Sequence, residues 1–472
     1  MNMFLRDKRL YPVAITIAGS DSSGGAGIEA DLKTFAALGV HGVVAITSVT
    51  AQNTYAVTAT YDLPPEMVVK QITTVYEDFG IDAGKTGMLS NSGIIEAVAT
   101  TASKLNLPLV VDPVMIAKSG APLLKPEAIN TLIKRLIPVA KIVTPNRYEA
   151  EKITGIKINN LDDARKAAKY IVKELGAEAA IVKGGHIETM NTVVDVMYYN
   201  GSFYEFKAPR ILDGCTHGTG CSFSAAIAAN LARGLDIVEA VKIAKKFITM
   251  AIKYGVKIGK GSCPVNPTAW IEIPSEKQRV IENLRRALEI IVENQDIFAK
   301  YIPETGTNIV MSIDPRYARS PKDVAGVKGR ITRVSMKEIR IGDLGFGASS
   351  HMARLVLAAM KHDPSIRSAM NIRYSEKIIR KAKEKGFKVV FIDRKQEPKE
   401  IKRKEGESIP WMVEEAVKRI GTVPDIIYDL GDIGKEPMIR IIGTTPVEVV
   451  EKILTIIKET VQDKNVNNKT NH

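Results

Sequence analysis

Cysteine is scarce in this chain. The three residues, Cys215, Cys221 and Cys263, contain no C-x-x-C spacing, which excludes a zinc ribbon and leaves too few thiols for a disulfide framework. Aromatic residues make up only 6% and no long uninterrupted apolar run occurs, so no segment reads as a membrane span. The charged start is followed by an apolar stretch, Val13 to Ala18. That stretch is shorter than a secretory h-region and runs into Gly19-Ser20-Asp21, so it reads as a first buried strand and the chain as cytosolic. Glutamine occurs six times while Lys, Ile and Glu are plentiful, a balance associated with heat-adapted proteins. Long basic blocks are also missing, although the net charge is +13. From Ile273 onward there are 37 basic and 28 acidic residues, a net +9, against +4 for the first 272. A basic half without basic runs or many aromatics argues against nucleic acid and membrane surfaces, and for small phosphorylated ligands.

At 472 residues with 45% hydrophobic and 25% charged composition, the chain is globular and too long for a single core. Up to about residue 255, short β-branched runs (VAITIAG, GVVAITSV, LVVDPV, KIVTP, AAIVKG) alternate with amphipathic helical stretches. Such alternation predicts a mostly parallel sheet covered by helices on both faces. Two alternating runs around Asn200-Gly201 predict a hairpin that adds an antiparallel edge. YGVKIGKGSCPVNP, rich in Gly and Pro, reads as a linker. The expected division is therefore 1–257, a linker over 258–274, and a second, smaller α/β domain over 275–472 with a polar, frayed tail.

Three Gly-rich elements stand in the first domain. Gly25, Gly27 and Ala30 satisfy G-x-G-x-x-A, yet no acidic residue lies between Asp31 and Asp62 to take a ribose, and the dinucleotide reading fails. GIDAGKT (80–86) is one residue short of a phosphate-binding P-loop and begins before its strand. THGTGCSFSAAIA (216–228) puts Gly218, Thr219 and Gly220 at the start of an apolar helix, where small residues and the helix field suit a phosphate. Cys221 on the first turn reads either as a small buried hydrophobe or as a thiol that the same field pushes towards thiolate.

Taken in order, AGSDSSGGAGIEADLKT, VTAQNT, KTGML, VVDPVMIAKSG, TPNRYEAEKITG, AIVKGGH and APRI…THGTGCSFSAAIA resemble the hydroxymethylpyrimidine and hydroxymethylpyrimidine-phosphate kinases of the ribokinase superfamily, over about residues 11 to 270. Glu29 stands where that family commonly has Gln. The resemblance implies a ribokinase-like α/β fold, ATP as co-substrate and two successive phosphorylations. It implies that Asp31 and Gln52 hydrogen-bond an aminopyrimidine, that Met88 and Val114 flank its faces, and that Cys221 approaches the hydroxymethyl oxygen as general base or orienting group. Gly218, Thr219 and Gly220 become the anion hole, Lys183 a cation at the phosphates, and Asp112, Asn146 and Glu149 the holders of Mg²⁺, directly or through water. His186 and His217 are left outside the catalytic set.

In the second half, Arg316, Arg319, Lys322, Lys328, Arg330 and Arg333 crowd into eighteen positions, either a solvated basic loop or a phosphate-recognition segment. GFGASSH follows, with Ser349 or Ser350 as helix cap and His351 in the first turn, where the helix field lowers an imidazole pKa. SPKDVAGVKGRI, GFGASSHMARLVLAAM, MNIRYS, FIDR and PDIIYDLGDIGKEP resemble a thiamine-phosphate synthase domain of the non-barrel type, over about residues 285 to 460. The resemblance makes Arg330 and His351 catalytic, with Lys435 and Glu436 bordering the site. The whole chain is then expected to make the pyrimidine diphosphate with ATP and couple it to thiazole phosphate. One alternative keeps the kinase and makes the second domain a non-catalytic thiamine-phosphate sensor. Another has the first domain phosphorylate pyridoxal or a sugar, the sugar being opposed by the Gln52 and Cys221 contexts. Small molecules are the expected partners, and self-association into a homo-oligomer is left open.

Overall fold

The architecture is that of a computed structural model, which describes residues 10–117, 120–186, 191–432 and 434–467. Lys118 and Ser119 of the DPVMIAKSG run, the His186 side chain and residues 468–472 of the tail lie outside the described set. The chain divides into two compact units, 1–271 and 272–472.

The strands of the first unit are β1 (Val13–Ala18), β2 (His41–Ile46), β3 (Ser48–Gln52), β4 (Val57–Asp62), β5 (Ala83–Thr86), β6 (Leu109–Val111), β7 (Ile142–Val143), β8 (Ala179–Val182), β9 (Thr192–Tyr199) and β10 (Ser202–Pro209). Eight of them form one sheet in the order β10-β9-β8-β7-β6-β5-β1-β2, and β3 pairs with β4 separately. The run from β8 to β2 is parallel and β9–β10 is the antiparallel hairpin. Asn200 and Gly201, at φ 46° and 78°, supply the two positive-φ residues that a tight hairpin of the right twist needs. Because side chains alternate across a strand, Ile15 and Ile17 of β1 join a core with Ile72, Ile94 and Val111. Ala14 faces the opposite core with Phe35, Phe223 and Phe247. Both faces are covered, as expected of near-continuously apolar strands.

β5 is the exception to that patterning. AGKT, set aside above as a broken P-loop, is a central strand whose four residues are all buried. The segment 258–274, read as a linker, makes specific contacts. Ser262 and Gly261 donate to Thr54 at the β3–β4 turn at 2.9 and 3.1 Å, His217 donates to the Cys263 carbonyl at 3.1 Å, and a helix begins at Ala269 and continues to Glu293. Cys215 and Cys263 form a disulfide, so a chain with too few thiols for a framework still carries one cross-link, and Cys221 is the free cysteine. Alkylation of unfolded, unreduced protein should label Cys221 alone. Three labelled cysteines would remove the cross-link.

The second unit has β11 (Ile309–Ser312), β12 (Val324–Val327), β13 (Ile331–Arg333), β14 (Ile339–Ile341), β15 (Leu344–Phe346), β16 (Ser368–Arg373), β17 (Val389–Phe391), β18 (Ile426–Asp429) and β19 (Met438–Gly443). Seven form a sheet in the order β15-β12-β11-β16-β19-β18-β17, antiparallel except for β17–β18. Helices 350–362 and 408–420 bury Met352, Leu355, Met412 and Val413 against Val310, Ala369, Ile427 and Ile442 of one face. Helix Pro446–Asn467 packs on β16 and β19 and extends into the stretch expected to fray.

Candidate active sites

In the first unit the Gly-rich turn after β1 folds around one carboxylate. Asp21 accepts from the amides of Ser23 and Ala26 at 2.9 Å each and from the Ser23 hydroxyl at 2.7 Å. It also lies 2.8 Å from His217 Nε2. Burial would raise the Asp21 pKa, but the His217 and Ser23 hydrogen bonds hold it below the usual range. This pair brings the turn against the start of the GTGC segment. Gly218 takes φ 78°, and a Cβ there would fall 1.9 Å from the Gly25 carbonyl oxygen, so only glycine allows the approach. A Cβ on Gly220 would lie 3.3 Å from Asp112 and 3.4 Å from Lys183. The expected anion hole thus sits beside the expected cation and carboxylate. The Thr219 hydroxyl donates to the Thr216 carbonyl at 2.8 Å.

Asp31 is fully buried. Its Oδ2 accepts from Thr16 at 2.6 Å and from Lys85 at 2.9 Å, while Oδ1 has no hydrogen-bond partner among the described residues. Burial raises the Asp31 carboxyl against the pull of Lys85. Burial alone would lower Lys85, yet Asp31, Cys221 and Asp112 hold it above the usual lysine range. Lys85 is the residue that sequence reading missed. Its signal was present in KTGML, a lysine inside a strand with no solvent-facing alternation.

Burial pushes the Cys221 thiol up to about 11; Lys85 pulls it down, but Asp31 and Asp112 add to the rise. The helix field was expected to favour a thiolate, and it is outweighed. Lys183 lies 3.1 Å from Asp112 Oδ1. Burial raises the Glu149 carboxyl to about 7, with Lys183 opposing and Asp112 reinforcing. Asn146 and Glu149 form a reciprocal capping box, at 3.0 and 2.7 Å. Through this box Asn146 also orients the Glu149 side chain. Among the described residues no cluster of three His, Cys, Asp or Glu side chains is arranged around a metal. Two neighbouring carboxylates, Asp112 and Glu149, nevertheless fit Mg²⁺, which keeps waters and phosphate oxygens and needs few protein ligands.

Gln52 ends β3, its backbone tied to the Ser22 hydroxyl by two 2.8 Å hydrogen bonds. Met88 is half-buried, with its sulfur 3.2 Å from where a Gly19 Cβ would lie. Val114 is half-buried too and donates to the Asp112 carbonyl at 2.8 Å.

The second unit holds a cleft of about 440 Å³ lined by Arg330 and His351. Lys435 and Glu436 line it as well. Its floor is the polar end of an apolar sheet face: Asn371 of β16 lies across from Arg440 of β19, and Arg440 pairs with Asp429 of β18 at 2.7 Å. Ser349 caps the helix carrying His351, accepting from the Met352 amide at 3.4 Å. Desolvation by the cleft walls pushes the imidazole of His351, itself still exposed, down to about 4, with Arg440, Arg394 and Arg330 contributing in the same direction. Arg330 has φ 68°, a strained position for a non-glycine residue, and hydrogen-bonds the Thr305 carbonyl. The rest of the basic stretch serves elsewhere. Arg316, for example, pairs with Asp314 at 3.0 Å and Glu272 at 3.3 Å. The cleft draws its remaining positive charge from Arg354, Arg394 and Arg440, which sequence reading missed. An arginine in the middle of the apolar run MIRIIG was the available signal.

Residues 21–266 match the family model for phosphomethylpyrimidine kinase, and residues 283–455 that for the thiamine-phosphate synthase ThiN. A bifunctional thiamine biosynthesis protein ThiDN from Methanocaldococcus jannaschii is 36% identical over 448 residues, 94% of this chain and 98% of the relative. The chain belongs to the ThiDN family. It is a bifunctional enzyme, a pyrimidine kinase followed by a thiamine-phosphate synthase. Over the kinase domain alone, a hydroxymethylpyrimidine/phosphomethylpyrimidine kinase of Bacillus subtilis is 46% identical, covering 54% of this chain and 95% of the relative. Among solved structures, the Bacillus subtilis pyridoxal kinase in its ADP complex is similar at 38% identity and a TM-score of 0.51, covering 55% of this chain and 98% of that one. The pyridoxal kinase from Staphylococcus aureus with pyridoxal is similar at 38% and 0.52, covering 56% and 96%. The fold of the kinase domain is therefore ribokinase-like. No helix among the described residues is long and apolar enough to cross a membrane.

Proposed function

We propose that the kinase domain phosphorylates 4-amino-5-hydroxymethyl-2-methylpyrimidine and then its monophosphate, and that the synthase domain couples the resulting diphosphate to hydroxyethylthiazole phosphate. The observation that carries the kinase reading is the free Oδ1 of Asp31. It is a buried acceptor with nothing to accept, and such an atom costs stability unless a ligand donor satisfies it. The 4-amino group of the pyrimidine is such a donor. Gln52 adds a group that both donates and accepts, and Met88 and Val114 cover the ring faces.

Phosphoryl transfer depends on placement and charge neutralisation more than on covalent help. The amides of Gly218, Thr219 and Gly220 receive the transferring group at a helix N-terminus, and Lys183 supplies a fixed positive charge. When bound by Asp112 and Glu149, Mg²⁺ supplies neutralisation of the phosphate oxygens of ATP. Cys221 keeps its proton at neutral pH, so it orients the hydroxymethyl oxygen by hydrogen bonding and does not serve as base. Cys221→Ser should then keep kcat within about tenfold, because serine still donates; a loss beyond about 10³ would reinstate the thiol as base.

In the synthase cleft the thiazole nitrogen forms a bond to the pyrimidine methylene carbon while the carbon–oxygen bond to diphosphate breaks. Pyrophosphate leaves with the electron pair, and the nitrogen has no proton to lose. Arg330 and the buried Arg394 and Arg440, which line the cleft, would stabilise that departing charge.

The deciding experiment incubates purified protein with the pyrimidine alcohol, ATP, Mg²⁺ and thiazole phosphate and records product masses. Thiamine phosphate is the expected product. Pyrimidine diphosphate accumulating without it would leave the second domain as a binder. The two pyridoxal kinases among similar structures favour one second reading, phosphorylation of pyridoxal by the first domain. Pyridoxal supplied in the same vessel should be turned over far more slowly than the pyrimidine, and equal turnover would support that reading instead.

A further inference from the structure

The anion hole of the kinase domain is presented by a stretch that belongs to no helix or strand. Residues 210–218 run from the end of β10 to helix Thr219–Ala232. Amides that converge on a transferring phosphoryl group help only when they are held in place beforehand. On one side the Asp21–His217 contact holds them. On the other stands the Cys215–Cys263 cross-link, to which the chemistry above gives no task.

Cys215 precedes Gly218 by three positions and is 2% exposed. Its amide donates to the Ile252 carbonyl at 3.2 Å, near the end of helix Ile237–Lys253. A Cβ on Gly255 would fall 2.2 Å from the Cys215 Cβ, so the two turns pack in direct contact. Cys263 comes from the Gly- and Pro-rich stretch ahead of helix Ala269–Glu293. Around the disulfide the two segments exchange backbone hydrogen bonds: His217 donates to the Cys263 carbonyl at 3.1 Å, and its own carbonyl accepts from Val265 at 3.0 Å. A Cβ on Gly25 would meet both the His217 ring, at 2.4 Å, and Pro264, at 3.1 Å. The Gly-rich turn, His217 and the cross-linked segment therefore form one stack behind the anion hole. Backbone hydrogen bonds between two such segments contribute little net free energy and open locally. The covalent tie removes that freedom.

We propose that the Cys215–Cys263 disulfide positions the Gly218–Gly220 amides for the phosphates of ATP, and that a dithiol reductant loosens them, which makes the kinase half of this enzyme sensitive to redox state. The inference rests on the kinase reading above. Cys263 is half-buried, so a thiolate of the reductant attacks its sulfur. The bond to Cys215 breaks, and Cys215 leaves with the electron pair and takes a proton. The second thiolate of the reductant then displaces Cys263 from the mixed disulfide, closing the reductant's own disulfide. Two electrons and two protons pass from the reductant to the two cysteines. Cys221 is already a free thiol and takes no part.

The test is calorimetric binding of a non-hydrolysable ATP analogue with Mg²⁺ to the full chain, before and after dithiothreitol treatment. It is run at a temperature where circular dichroism shows the reduced chain folded. Reduction should weaken binding by about 5- to 150-fold, the usual span of coupling between two sites, and re-oxidation should restore it. The KM for ATP should rise in parallel. Thiamine-phosphate formation from supplied pyrimidine diphosphate and thiazole phosphate should not change, because both cysteines belong to the first unit. Cys215→Ala/Cys263→Ala should bind as reduced wild type does and ignore dithiothreitol. Linkage adds a readout that a purely stabilising cross-link would leave unmoved. The analogue must make the disulfide harder to reduce by the same factor, read as the ratio of disulfide to dithiol at equilibrium with a dithiothreitol buffer. That measurement uses wild type alone and so decides the matter if the double variant fails to fold. Equal nucleotide affinity in the two redox states, a disulfide equilibrium indifferent to the analogue, or a proportional loss of synthase turnover would overturn the assignment. With pyrimidine still phosphorylated, the kinase reading would survive that result. Redox-dependent nucleotide affinity in a chain that phosphorylates no pyrimidine would sink the substrate reading and leave the role of the cross-link standing.

Discussion

Lys85→Met should destabilise the kinase domain by about 3–5 kcal/mol, the cost of leaving one member of a buried ion pair uncompensated. Lys85 and Asp31 are 2.9 Å apart, both with side chains at 0% exposure, so water cannot reach the abandoned carboxylate. Asp31 can respond only by taking up a proton, which converts half of its acceptor capacity into a donor and spoils the contact proposed for the pyrimidine amino group. Kinase turnover should fall with the stability, while the synthase domain of the same molecule reports whether the effect is local. Thermal unfolding followed by calorimetry is the measurement, with the double variant Lys85→Met/Asp31→Asn as its control. Removing both charges should recover much of the stability without the activity, because the pair is coupled and its members do not add. A single variant as stable as wild type would show that the pair contributes nothing to the fold.

His351→Ala should cut thiamine-phosphate formation by about 10²- to 10⁴-fold, the range typical of a removed acid–base or hydrogen-bonding group, while pyrimidine phosphorylation continues unchanged. The pH profile separates the roles the imidazole can take. Its pKa is pushed down to about 4, so in the free enzyme it is neutral through the physiological range, and kcat/KM of the wild-type synthase should show no ionisation near 6.5. An ordinary histidine limb there would mean that the imidazolium is the working form. The linkage to stability has the matching sign. Between the ordinary imidazole value of 6.5 and about 4, the unfolded chain binds a proton that the folded chain refuses. Stability is therefore lost as pH falls through that window, and the His351→Ala variant should lose less of it.

Much of the scaffold was readable from the chain because it depends on local pattern. Apolar strands alternating with amphipathic helices specify a parallel sheet covered on both sides, and β1, β2, β6, β7 and β8 appeared where the runs lie. Asn200-Gly201 specified its hairpin because few residue pairs tolerate two positive φ values. The Ser349-Ser350 pair announced a helix start, and both chemistries followed from the family resemblance that the motifs carry. Local pattern says less where pattern and burial part company. AGKT has the look of a phosphate loop and is instead a central strand, since its lysine is neutralised by a carboxylate that lies 54 positions earlier. The segment around Cys263 has linker composition, yet Cys215 lies 48 positions earlier and cross-links to it.

Composition and periodicity thus determined by themselves the two α/β domains, and the motifs carried the family resemblance from which the kinase and synthase chemistries followed. The tertiary structure alone decided the charge states and partners of the site residues. Cys221 was left a choice by its sequence context, and desolvation beside Asp31 and Asp112 pushes its thiol pKa up. Of the basic cluster between Arg316 and Arg333, only Arg330 lines the cleft, while Arg354, Arg394 and Arg440 arrive there from an α-helix, a short 3₁₀ helix and a strand. The reason is physical: helix and strand signals are local, whereas a pKa or an ion pair depends on which distant groups the fold brings within a few ångströms and on how much water it excludes between them.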